Sequence, residues 1–109
     1  MDFKDLNEVR RFAAEKMQKL NLFETERMFC DVYCFEPEQV QRPHVHEGSD
    51  KIYYVLEGEG TFQVGDERRS LSAGNITMAP AGVEHGVVND SGGRLVCLVF
   101  MAPHPHAPA

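Results

Sequence analysis

Three histidines and one lysine carry the chemistry that this sequence offers. His44 and His46 stand two residues apart in RPHVHE, and His85 stands in PAGVEHGVVN. Residues two apart on an extended strand point to one face, with Cβ atoms about 7 Å apart at ~3.3 Å of rise per residue. Two imidazoles can converge from there on one ion, at metal–nitrogen distances near ~2.0–2.1 Å. A single strand supplies only two such ligands, so a third must come from a neighbour. His85 is the candidate: it follows a Pro–Ala–Gly turn that sets the entry of a new strand. Gly86 beside it leaves room for close backbone approach. Lys51 sits five residues past His46, where a carboxylate would suit a cation better. A protonated amine has no lone pair to give and would be repelled by a divalent ion.

These residues need elements to position them. Short runs rich in Val, Ile, Tyr, Phe and Thr alternate with Gly, Pro and Asp breaks. Residues 28–35, 51–57, 60–64, 76–80, 85–89 and 94–101 read as strands. Pro43 suits the start of a further strand that carries the histidine pair. VGDE is a tight hairpin turn centred on Gly65 and Asp66. Lys51, Tyr53 and Val55 share one parity and line the interior. Ile52, Tyr54 and Leu56 take the other parity and offer either an interface or a seat for the N-terminal segment. Ahead of the strands, Leu6, Val9, Phe12, Ala13, Met17 and Leu20 recur at helical steps. A helix over 5–20 is expected, capped by Asp5 or Asn7. The last residues, APHPHAPA, read as a loose tail in which His104 and His106 are solvated. Arg68 and Arg69 read as solvated.

The bulk numbers set limits. The chain has 109 residues, enough for one domain. Hydrophobic residues make up 42% and charged residues 26%, the balance of a soluble globular protein. The formal net charge of −6 argues against nucleic acid and against an anionic membrane surface. The charged N-terminus shows no signal peptide, and the longest apolar run, residues 95–102, suits a buried strand rather than a bilayer span. A cytoplasmic protein is expected. Of the three cysteines, Cys30 and Cys34 lie on one strand face, about 13 Å apart and beyond disulfide reach. Cys97 lies in the apolar run; all three read as buried thiols.

The motifs together resemble those of a small single-domain cupin. HVHEGSDKIYYVLEG is similar to the family's first motif, with Lys51 where its glutamate stands, counted back from Gly58. GNITMAPAGVEHGVVN matches the second motif at Gly74, Pro80, Gly82, His85 and Asn89. The glycine usual six residues before the first histidine is replaced by Glu38. The resemblance spans residues 29–101 and implies an all-β fold, an antiparallel jelly-roll β-barrel. An N-terminal helical segment (1–22) would precede it and the loose tail (102–109) follow. It also implies a divalent transition metal (Fe, Mn, Ni, Co or Zn) on His44, His46 and His85, and a homodimer.

Many members of that family are metal-dependent dioxygenases, isomerases or decarboxylases; others bind sugars, act as sensors or store protein. Four readings of Lys51 stay open. It can face an anionic substrate or act as a base beside a three-histidine ion. Asp50 or Glu47 can replace the missing carboxylate. The cluster can hold an organic ligand without metal, or the site can be vestigial. Tyr53 could donate a hydrogen bond to substrate or simply pack in the core. A metal-dependent, dioxygenase-like enzyme acting on a small anionic or oxygen-rich molecule is the first expectation. A small-molecule binding or sensing module without turnover is the second, and a structural dimer with a relict site the third.

Overall fold

A computed structural model describes residues 1–106. Nine strands follow one short helix: α1 (Leu6–Val9), β1 (Gln18–Glu24), β2 (Phe29–Phe35), β3 (Val40–His44), β4 (Asp50–Glu57), β5 (Glu59–Val64), β6 (Glu67–Ser72), β7 (Ile76–Ala79), β8 (His85–Val88) and β9 (Leu95–Ala102). They form two antiparallel sheets, one ordered β1-β2-β9-β4-β7 and the other β3-β8-β5-β6. The sheets face each other, and among the described residues no strand pairing joins them into a closed barrel.

Alternation builds the space between the sheets. Lys51, Tyr53 and Val55 of β4 are all buried, as their shared parity requires. They sit in register with Met101, Val99 and Cys97 of β9. Beyond these come Tyr33 and Phe35 of β2, and Phe62, Leu71 and Val87 close the core from the opposite sheet. Cys30, Val32 and Cys34 point the other way. They form a second cluster with Leu22 and Val96, covered by Leu6, Val9 and Phe12 of the N-terminal segment and touched by Leu56. All three thiols are free and buried.

The helix expected over 5–20 is corrected. It runs only from Leu6 to Val9, with the Asp5 side chain accepting from the Asn7 N–H. Gln18–Glu24 is a strand instead, paired along β2. The apolar spacing that suggests a helix serves two elements: Leu6, Val9 and Phe12 lie on the second cluster from an irregular chain, and Leu22 reaches it from β1. An edge ladder to β2 outweighs a weak local helical preference. β6 is a further strand that the pattern does not announce, because ERRS reads as a charged loop; Arg68 and Arg69 are exposed on it. The hairpin β5–β6 turns on Gly65 and Asp66, with Gly65 at φ 61°.

The segment after β9 is not loose as far as it is described. His104 forms an ion-pair contact with Glu24, packs edge-on against Phe29 and donates its backbone N–H to Arg27. Its side chain is only 12% exposed, so the solvated reading fails for His104. The final part of the tail, 107–109, lies outside the described residues.

Candidate metal centre

Two elements bring the histidines together. β3 and β8 pair antiparallel, and His44 lies directly opposite His85. Pro43 falls inside β3 rather than at its start, which is tolerated because β3 is an edge strand. The pairing slips between Gln41 and His44, so Gln41 and His44 both face inward despite their odd spacing. Gly86 permits the fit. A Cβ there would stand 2.9 Å from the Gln41 carbonyl oxygen and 3.0 Å from the Pro43 nitrogen. His46 lies just beyond β3, where its carbonyl accepts from the Gly82 N–H at 2.9 Å. That bond joins the histidine loop to the Pro80–Val83 turn that delivers His85.

The imidazole centroids lie 4.7 Å (His44–His46), 4.3 Å (His44–His85) and 5.6 Å (His46–His85) apart. One ligand-type nitrogen from each ring lies within 4.8 Å of the others. Two rings have fixed tautomers. His85 Nδ1 contacts the Val83 carbonyl at 3.0 Å, and His44 Nδ1 contacts the Arg42 carbonyl at 2.9 Å. A carbonyl only accepts, so Nδ1 carries the proton and Nε2 carries the lone pair. Outer-shell bonds of this kind orient metal-ligating histidines.

His85 Nε2 is buried and has no hydrogen-bond partner, alone in this among the buried side-chain nitrogens and oxygens of the described residues. Burial pushes the His85 pKa down to about 4 and lowers those of His44 and His46, so all three rings are neutral at pH 7. Neutral imidazoles with a converging, unsatisfied lone pair fit a borderline divalent cation.

Among the described residues, no carboxylate joins the cluster. Asp50 turns outward to accept from the Ala81 N–H at 2.9 Å. The Glu47 carboxylate lies over Gly82, where a Cβ would be 3.7 Å from it. Lys51 is 1% exposed, and its Nζ lies 5.1 Å from the centroids of both Tyr33 and Tyr53. The ring faces offer cation–π attraction. Burial nonetheless dominates: it pushes the Lys51 pKa down to about 7, helped by the Lys19 ammonium and opposed by Asp31. Tyr53 packs 6.2 Å from the His85 ring. Its hydroxyl donates to Gln41 Oε1 at 2.7 Å, and Gln41 Nε2 donates onward to the Tyr33 hydroxyl at 3.4 Å. The Tyr53 proton is therefore already engaged. The sequence reading misses Gln41; its only signal is a polar residue ahead of Pro43, and the strand irregularity hides its parity.

The comparisons with known proteins agree with this geometry. A cupin-domain profile matches residues 31–101. The fold superposes on the TT1209 protein of Thermus thermophilus with a TM-score of 0.91 at 48% identity, covering 94% of this chain and 98% of that one. It also superposes on a Klebsiella pneumoniae protein with a double-stranded β-helix domain, with a TM-score of 0.89 at 24% identity, covering 99% and 94%. The sequence is 37% identical over 46 residues to an oxalate-binding protein of Thermotoga maritima, spanning 42% of this chain and 38% of that protein. It is 37% identical over 60 residues to an acireductone dioxygenase of Candida albicans, spanning 50% of this chain and 33% of the enzyme. The chain thus spans about a third of the length of these curated relatives. With the family profile covering most of the chain and both sheets in place, the protein belongs to the cupin family.

Proposed function

We propose that the chain is a small metal-dependent enzyme of dioxygenase type, acting on a small anionic or oxygen-rich organic molecule. His44, His46 and His85 would hold a divalent transition metal (Fe, Mn, Ni, Co or Zn). The observation that carries this reading is the buried, unpartnered Nε2 of His85 facing two further imidazoles. A buried acceptor with no partner is costly unless something fills the position. An ion on three neutral ligands would keep coordination positions open and supply Lewis acidity or, as iron(II), a route to O2.

The chain's own residues supply the rest. Lys51, with its pKa near 7, exists in both protonation states at neutral pH. As the amine it can take a proton from a substrate; as the ammonium it can pair with the resulting anion. Gln41 and Tyr53 hold one another and fix the wall against which the His85 ring packs. The partial similarity to an acireductone dioxygenase supports oxygen chemistry. The partial similarity to an oxalate-binding protein supports the second reading, a binding cupin without turnover.

An oxygen electrode separates the two. Iron(II)-loaded protein is offered a panel of hydroxy acids, keto acids and enediols. Uptake that depends on substrate and is lost in His85→Ala supports the enzyme. Tight binding with no uptake and no chemical change favours the binding protein.

A homodimer is part of the same proposal. Ile76 and Met78 are 64% and 49% exposed on the outer face of β7. They lie beside Tyr54 and Ile52 of β4, next to the apolar area that the N-terminal segment covers. A second copy would cover this remainder. A monomer by light scattering would remove the dimer.

A further inference from the structure

Among the described residues no strand pairing joins the sheets at their edge strands β1 and β3. A cleft of about 710 Å³ opens there, lined from Lys16 to Lys19 and from Val40 to His44, and it reaches His46. Its charge is one-sided. Among the described residues, Lys16, Lys19 and Arg42 line it and no acidic residue does, and yet the chain holds 17 acids against 11 bases. Among the described residues, none of these three cations is in an ion pair, although Arg10 and Arg94 each have a carboxylate partner. Lys19 continues the charge inward. Its Nζ lies 5.5 Å from the centroid of the Tyr33 ring, the ring that Lys51 approaches to 5.1 Å. Asp31, whose charge acts on Lys19 and Lys51, accepts from the Asn21 amide at 2.9 Å.

A cleft lined by one sign of charge concentrates ligands of the other. Its volume suits a small molecule. We propose that this cleft binds the carboxylate of a small oxygen-bearing organic acid, a hydroxy-, oxo- or dicarboxylate, through Lys19 and Arg42, with Lys16 at the rim. The acid's remaining oxygens then lie toward His44 and His46, the two imidazoles that line the cleft. Arg42 offers a planar fork for a carboxylate and Lys19 a point charge. Arg42 stands two residues before His44 on β3, and Lys19 pairs with Tyr33 across β1 and β2. This selects acids over neutral sugars and alcohols. It rests on the proposal that substrate is handled at the histidine cluster.

The test is calorimetric titration of zinc-loaded protein with malonate and malate, against the neutral malonamide. Zinc affinity and thermal stability are followed in parallel. Malonate or malate should bind and malonamide should not, and the binding should weaken as salt rises. Lys19→Met and Arg42→Gln should each weaken acid binding by about tenfold to a hundredfold while leaving zinc affinity and melting temperature unchanged. Equal binding of the amide, unchanged affinity in both variants, or binding of neither acid would overturn the inference. Charge-dependent acid binding that survives without zinc uptake would leave the cleft standing and sink the metal centre instead.

Discussion

Lys51 is a buried amine, and its burial leaves a signature in the stability of the metal-free protein. Its pKa falls from 10.5 to about 7 on folding. The unfolded chain therefore holds more protons than the folded one between these values, and stability must rise with pH across that window. Put the other way, the contribution is complete above the unfolded pKa and is lost as pH falls through 7. Cys30, Cys34 and Cys97 pull the opposite way near their ordinary value of 9.0, because burial raises all three. The clean interval is thus about pH 7 to 8.5. Integrating the linkage over it gives Lys51 a gain of roughly 1–2 kcal/mol, against a smaller opposing effect of the three thiols. Urea denaturation in EDTA at the two pH values reads the difference. Lys51→Met keeps the chain length between Tyr33 and Tyr53 and removes the proton. Wild type should gain stability over the interval, the variant should change little, and the two should differ by roughly 1–2 kcal/mol. Parallel pH dependence in both proteins would mean that the ammonium is solvated or paired in the fold. The reasoning about Lys51 would then fail.

Other expectations follow from particular residues. Glu38 sits at φ 73° in the Pro37–Glu38 turn, a left-handed position that suits glycine, so Glu38→Gly should stabilise by about 0.5–1 kcal/mol in chemical denaturation. Asn89 is fully buried and donates to the carbonyls of Phe35, Glu36 and Gly93, so Asn89→Ala should cost about 3 kcal/mol by the same assay. His85 is held neutral to about pH 4 against an ordinary 6.5, so its contribution is present above 6.5 and lost as pH falls toward 4. Metal-free protein should lose about 3 kcal/mol over that range through His85 alone. Zinc, which needs the neutral ring, should raise the melting temperature at about pH 7 and not at about pH 4.

Six strands can be read in the sequence because each combines β-branched or aromatic residues with turn punctuation, and the inward parity of Lys51, Tyr53 and Val55 follows from one period of two. The histidine pair and His85 can be read because residue type and spacing alone suffice for imidazoles on neighbouring strands. What stays hidden depends on partners. β1 reads as the tail of a helix because its apolar residues fit a period of 3.6 until β2 claims them. β6 is charged on its outward positions, with only Leu71 buried. The shared inward aim of Gln41 and His44 rests on a register slip that no local pattern encodes. The basic cleft joins residues on β1 and β3 whose proximity exists only once the sheets face each other. His104 reads as solvated because Glu24 and Phe29, its partners, are far away in sequence.

The most direct measurement is elemental analysis of gently purified, untagged wild-type protein beside His85→Ala. We expect close to one equivalent of a divalent transition metal in the wild type and its loss in the variant, with the circular dichroism spectrum of the fold retained. No metal in either protein, even after incubation with iron(II), manganese(II), nickel(II) and zinc(II), would contradict the metal centre.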